Sequence, residues 1–304
     1  MNNYVERMNR VQEYIDEHLS EKLNLDRLAE ISHFSKYHFS RIFTSITGIP
    51  PMAYIMKRRL DQAAIYLRDT DKTVLEIALL CGFETASSFN SAFKRHFEKT
   101  PSELRKSIKQ NSNISQFHSN KPEALGRPSH YDEVSNHNFL RRIWQMNMVI
   151  KELPDMEVAY VRHVGSYLET FKAWGKLGEW SGKHRLYPPE QTFIGISLDD
   201  PSCTEEYACR YDACVTIPES FNKDEHEPEV QYKILPGGLY AMYSFYDTID
   251  KFGIAYQSIF GGWLPSSEYD PDDKHCLEFC MNNPAADPDG KAKIDLYIPI
   301  KKRA

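Results

Sequence analysis

Two stretches of this chain repeat each other. Residues 34–51, FSKYHFSRIFTSITGIPP, return fifty positions later as residues 83–101, FETASSFNSAFKRHFEKTP. Phe39 answers to Phe89, Phe43 to Phe93 and Pro51 to Pro101. In each copy apolar residues fall at helical spacing on one side: Phe39, Ile42, Phe43 and Ile46, then Ala86, Phe89, Phe93 and Phe97. On the other side Tyr37, Ser40, Arg41 and Thr44 repeat at i, i+3, i+4, i+7, as do Ser87, Asn90, Ser91 and Lys94. A helix anchored by one apolar face, with short polar and basic side chains on the other, has the shape and chemistry to enter a DNA major groove.

The residues around these stretches complete two similar units. Met8, Val11, Ile15 and Leu19 make an amphipathic helix over 4–19, and Leu25, Leu28 and Ala29 a short helix face before the turn at Ser32–Phe34. Gly48 fits a helix stop. Pro50 and Pro51 then open a longer helix with Leu60, Ala63, Ala64 and Leu67 in one stripe, a rigid spacer. The second unit opens at Thr73-x-x-Glu76, a capping-box pattern, and turns at Gly82. It closes near Arg105.

This arrangement, ending in GFETASSFNSAFKRHFEKTPSELRK, resembles the AraC/XylS family of bacterial transcription regulators over about residues 5–107. The resemblance implies that both recognition helices enter successive major grooves of double-stranded promoter DNA, about one turn apart. Carried over by position, the base-reading residues are Tyr37, Ser40 and Arg41, then Ala86, Ser87, Asn90 and Ser91. Lys94 and Arg95 fall to phosphate contacts. Ser and Ala read bases weakly, so the first helix, with Arg41, carries more of the discrimination.

The net charge of −6 argues against a nucleic-acid binder until it is divided. Residues 1–110 hold 17 Lys and Arg against 14 Asp and Glu, and the rest 20 against 29. A basic half of 1–107 is thus joined to an acidic half with another task. Between them residues 108–145 are polar, rich in Asn, Ser and His, and read as a linker with some order near 139–144.

The second half, 146–304, is itself duplicated. Gly178-Glu179-Trp180 is echoed by Gly261-Gly262-Trp263, LDDP (198–201) by MNNP (281–284), and DACVTI (212–217) by DLYIPI (295–300), all at an offset of 83. Glu152-Leu153-Pro154 is echoed by Ile234-Leu235-Pro236. Each copy reads strand, helix, strand, strand. The helices, about 167–180 and 250–263, carry stripes of Tyr167, Phe171, Trp174 and Gly178, and of Phe252, Tyr256, Ile259 and Trp263. The whole chain is therefore expected to be multi-domain: an all-α double helix-turn-helix domain, then an α+β domain of two βαββ repeats with a cleft along the pseudo-twofold seam. GGWLPSSEYDPDD, Leu277-Glu278 and the closing IDLYIPIK resemble the GyrI-like effector-binding domain of multidrug-sensing regulators. Its union with an AraC-type domain has precedent in Rob-type regulators.

Glu278 sits inside the apolar strand CLEFCM, and the matching position of the first copy is Gly195. A carboxylate facing the seam beside a glycine that leaves room is what a cation pocket requires, because a buried carboxylate seeks a positive partner or a proton. The resemblance puts that glutamate in the ligand pocket among aromatic rings, here Tyr160, Trp180, Tyr211, Tyr243 and Trp263. The effector so implied is a small amphipathic molecule, a cation where Glu278 is its counter-charge, and its binding alters contact with DNA or RNA polymerase. Two rival readings stay open: a hydrolase using Glu278 and Tyr211 as acid and base, and a protein-interaction module.

Six cysteines without a scaffold-like pattern fit free thiols in a reducing cytoplasm. No pair has Cys-x-x-Cys spacing, so neither a metal nor a cofactor is expected. A Pro-Cys-His-Arg motif, which methyl transfer would need, is missing. No apolar run nears the roughly 20 residues of a membrane span.

Overall fold

The structure is a computed structural model that describes residues 3–111, 148–201, 203–223 and 229–303. The first half is helical: α1 (Asn3–Glu17), α2 (Leu25–Ser32), α3 (Lys36–Thr47), α4 (Pro51–Asp69), α5 (Val74–Leu80), α6 (Ala86–Phe97) and α7 (Pro101–Asn111). The local chemistry sets the ends. Asn24 accepts from the Arg27 amide at 2.9 Å to cap α2, and Gly48 ends α3 at φ 80°. Thr73 and Glu76 close the full capping box on α5. Thr100 and Glu103 build the same reciprocal pair at the start of α7. The expected linker begins too early, since residues 108–111 are the last turn of α7; the rest of 108–145, including 139–144, lies outside the described residues.

The second half contains β1 (Val149–Leu153), β2 (Met156–Val164), α8 (Phe171–Lys183), β3 (Phe193–Ser197), β4 (Arg210–Thr216), β5 (Gln231–Leu235), β6 (Gly238–Asp247), α9 (Phe252–Ser258), a π-helical turn (Ile259–Trp263), α10 (Leu264–Ser266), β7 (Tyr269–Pro271), β8 (Leu277–Cys280) and β9 (Ala292–Lys302). Eight strands form one sheet in the order β1-β6-β9-β8-β3-β4-β2-β5, and the short β7 pairs with β9. Among the described residues the first repeat has one strand beyond the sequence pattern, β1, and the second has two, β5 and the short β7; β1 and β5 cross over, β1 pairing with β6 of the second repeat and β5 with β2 of the first. The echoed Glu-Leu-Pro and Ile-Leu-Pro triplets mark the ends of these exchanged strands. At the centre β3 meets β8, where Gly195 lies opposite Glu278.

Strand alternation divides the sheet into two faces. Val158, Tyr160, Ile194, Ile196, Cys214, Leu277 and Tyr297 form the core of one. On the other, Ala159, Val161, Ala213 and Val215 receive Ala173, Leu177 and Trp180 of α8.

The helical half does not close on itself. Leu60, Ala63, Ile77, Phe83, Phe89 and Phe93 pack the second unit into a core of its own. The first unit's core runs on without a break into the sheet domain: Tyr4, Met8, Leu28, Phe39, Ile42 and Phe43 belong to one cluster with Ala241, Tyr256, Phe260, Leu264, Cys276 and Leu296. The junction is also polar. Arg7 donates to the backbone carbonyls of Ser32 and His33 at 2.6 and 2.7 Å and pairs with Asp270 at 3.4 Å. Gly261 in the π turn lets the two halves touch, since a Cβ there would stand 2.7 Å from the Ser45 Cβ.

Candidate functional site

The seam between the repeats opens into a cavity of about 610 Å³. Tyr167 and Phe171 enter it from the first repeat's helical segment, and Phe252 and Tyr256 from α9. The stripes read from the sequence therefore turn toward the seam, although Tyr167 stands in a 3₁₀ turn ahead of α8 rather than in the helix itself. Ser197 and Tyr211 come from β3 and β4, and Glu278 from β8. Leu168, Phe171 and Ile249 are well exposed and give the mouth an apolar lip.

Glu278 is the chemical centre. It is 6 % exposed, and its Oε1 accepts from Ser197 Oγ and from the Tyr256 hydroxyl, each at 2.9 Å. Burial pushes the carboxyl above its ordinary range, while hydrogen bonds from Ser197, Tyr256 and Tyr211 and the charge of Arg41 oppose the shift. The same burial holds the Tyr211 and Tyr256 hydroxyls well above the usual phenol range, so both stay protonated donors. Gly195 makes this possible by its lack of a side chain. A Cβ there would collide with the Tyr211 hydroxyl and stand 3.0 Å from Glu278 Oε2. Leu277 and Phe279 point to the opposite face, so alternation does put Glu278 on the seam side.

Of the five rings expected around Glu278, Tyr211 alone lines this cavity. Tyr160 is on the other face of the sheet, donating to Gln231 Oε1 at 2.6 Å. Trp180 packs under α8 against Phe221 and Tyr232. Tyr243 lies beside Phe252 in a small side core. Trp263 faces Tyr269 at the junction with the helical half. Aromatic character does not fix on which side of a helix or sheet a ring lands. The rings that do line the cavity were legible in the two helix stripes.

The third wall is supplied by the helical half. Arg41, Thr44 and Ser45 of α3 line the same cavity as Glu278. The Arg41 guanidinium lies 4.2 Å from the centre of the Tyr256 ring and 4.6 Å from that of Tyr37. This redirects the expectation for the first recognition helix. Ser40 is buried, and Tyr37 and Arg41 are half-buried against the sheet domain. Ser40 is 2 % exposed and bonded to the Cys203 thiol, and Tyr37 meets His275 edge-on at 5.2 Å. His38 Nε2 reaches the carbonyls of Asp272 and Lys274 at 2.8 and 3.1 Å and stacks on Phe260. The reason is that α3 has a second apolar neighbour, the rings of α9 and the π turn, on the side opposite its own core. The second recognition helix differs: Ser87, Asn90, Ser91, Lys94 and Arg95 of α6 are exposed, with Ala86 at its half-exposed start.

Two helix-turn-helix units joined to a duplicated sheet with a polar-centred cavity define a class, the DNA-binding regulators that carry a small-molecule-binding domain. Within it this chain belongs to the GyrI-like family: the GyrI-like small molecule binding domain matches residues 146–301, half of the chain, and a helix-turn-helix domain matches 28–107. It is an AraC-type DNA-binding transcription regulator with a GyrI-like domain. The regulatory protein SoxS of Salmonella typhimurium is 39 % identical over 93 residues, 31 % of this chain and 87 % of that protein. The right origin-binding protein of Escherichia coli is 39 % identical over 94 residues, again 31 % of this chain but only 32 % of that protein. Among solved structures the EcmrR C-terminal domain aligns over 52 % of this chain and 99 % of its own at 14 % identity, with a TM-score of 0.41. Among the described residues, no helix is long and apolar enough to cross a membrane.

Proposed function

We propose that the seam cavity binds a small amphipathic cation and that its occupancy controls how the helical half contacts promoter DNA. The single observation that carries this reading is Glu278: a carboxylate that is 6 % exposed, in a cavity whose mouth is apolar. Such a group is costly to keep charged without a cation, and the rings of Tyr256, Phe252 and Phe171 add dispersion and cation–π attraction for one. On the DNA side, Asn90 and the short side chains of α6 reach base edges while Lys94 and Arg95 hold phosphates. Tyr37, Ser40 and Arg41 join them once α3 is free, in the neighbouring groove. RNA polymerase contact and cytoplasmic residence follow from that role.

The test is a thermal-shift screen of lipophilic cations and their neutral analogues on the wild type and Glu278→Gln. A ligand that binds only the folded state raises Tm by mass action. Cation-selective stabilisation that is lost in Glu278→Gln is the expected result. Equal stabilisation of both proteins would leave aromatic packing as the whole of recognition. Binding to duplex DNA with a steep salt dependence is expected alongside, and no binding at low salt would end the DNA reading.

A second reading draws on Tyr211, whose hydroxyl and Glu278 Oε2 both lie against Gly195 in the same cavity. With a reactive ester in the cavity this pair supports acid–base hydrolysis. Recovery of every bound ligand intact by mass spectrometry excludes it.

A further inference from the structure

We propose that Arg41 is an internal occupant of the effector site, so that a cationic effector and the docked first recognition helix exclude one another. The inference rests on the cation reading of the cavity given above and adds the regulation of that site. Arg41 is a cation of the chain inside the cavity that holds Glu278, and the Asp200 carboxylate, which also lines that cavity, is among the charges acting on it. Its guanidinium lies over Tyr256 at 4.2 Å, and the hydroxyl of that same ring donates to Glu278 at 2.9 Å. It lines the cavity together with Glu278, and its charge is among those that draw the Glu278 carboxyl back down. A second cation in this partly desolvated space meets Arg41 at short range, where like charges repel far more strongly than in water. Relief comes if Arg41 leaves, and Arg41 leaves with α3.

Arg41 Nε, Ser35 Oγ, Thr44 Oγ1 and His38 Nδ1 are buried with no hydrogen-bond partner among the described residues. Three of these atoms lie on α3 and Ser35 caps it, and a buried polar atom left unpaired lowers the stability of the docked state. The surface so covered is Tyr37, Ser40 and Arg41, the groove-reading set of the first unit. Docked, α3 cannot present that face to a major groove. Displacement of Arg41 by an effector couples the two halves through the differential affinity of the ligand for the undocked state.

The experiment is calorimetric titration of the full chain with tetraphenylphosphonium, with tetraphenylborate as the isosteric anion, on wild type, Arg41→Gln and Gly261→Ala. Gly261→Ala replaces no cavity side chain but forces a Cβ against Ser45, loosening the helix that carries Arg41, Thr44 and Ser45 into the cavity. Removing the competitor is expected to tighten tetraphenylphosphonium binding about tenfold in both variants, a difference of about 1.4 kcal/mol. Gly261→Ala is also expected to bind random-sequence duplex DNA more tightly than wild type. In the wild type, tetraphenylphosphonium should raise amide exchange in residues 36–47. Equal cation affinity in wild type and Arg41→Gln overturns the exclusion and leaves the cavity reading standing. Tighter binding of tetraphenylborate than of the cation in the wild type, lost in Arg41→Gln, overturns it too and makes Arg41 an anion's partner. No binding of the cation to any of the three proteins takes down the effector reading itself, and this proposal with it.

Discussion

At the scale of single residues, Glu278 and Gly195 act as a pair across two strands. The folded pKa of Glu278 is raised, so the native state holds its proton to higher pH than the unfolded chain does. The associated stability is complete below the ordinary carboxyl value and is lost as pH rises through the folded pKa. Denaturant midpoints should therefore show the wild type losing ground to Glu278→Gln over that window. Cation affinity should rise over the same window in the wild type and stay flat in the variant. Tyr211 and Tyr256 stay protonated, and burial pushes the Cys276 and Cys280 thiols up to about 12; Asp200 and Asp250 line the same cavity, so the comparison with Glu278→Gln is what isolates Glu278. Gly195→Ala is a separate test. Tyr211 is packed against Trp174 and Tyr167 and has little room to swing away from a new methyl group. A loss of about 1–3 kcal/mol is expected from such overpacking, with loss of ligand binding. An unchanged midpoint would mean that the seam is looser than its geometry.

At the scale of elements, the two recognition helices are alike in pattern and unlike in setting. α6 stands on its own core and keeps its polar face in solvent, so Lys94→Ala should weaken DNA binding uniformly across sequences and lower the salt slope by about 1. A change in sequence preference instead would move Lys94 from phosphate to base. The presentation of α6 also depends on α5, which is only seven residues long and leans on its capping box. Thr73→Ala should cost about 1 kcal/mol, read as faster amide exchange in residues 74–80. The helix stripes, the caps and the strand alternation were all readable in the chain, because each depends on neighbours within a few residues. The placement of Tyr160, Trp180, Tyr243 and Trp263 was not. A ring's side of the sheet or helix is fixed by partners distant in sequence, such as Phe221 and Tyr232 for Trp180, and no local signal announces them.

At the scale of the whole molecule, the boundary drawn by composition is not the boundary drawn by packing. The sequence divides at the polar stretch after Arg105. The cores divide between the two helix-turn-helix units, since α1–α3 share a cluster with the sheet domain while α4–α7 supply the second unit's core. Hydrogen exchange on the full chain should show α1–α3 protected together with residues 255–264 and 292–300, and α5–α7 opening at lower free energy. Common protection of all seven helices would restore the composition boundary. Phe93→Ala, costing about 3–5 kcal/mol, should then open the second unit alone.

The sequence by itself determined the units: two copies of a recognition helix, two copies of a strand-and-helix repeat, a glutamate inside an apolar strand matched by a glycine in the other copy, and a basic half followed by an acidic one. Periodicity, capping and charge are short-range properties, and they are written residue by residue. Only the tertiary structure decided what those units face. Arg41 and Tyr37 carry a polar pattern equally suited to a DNA groove and to a ring-lined cavity. The choice between them came from Gly261, Phe260 and Tyr256, more than two hundred residues away, whose close approach no spacing within α3 could encode.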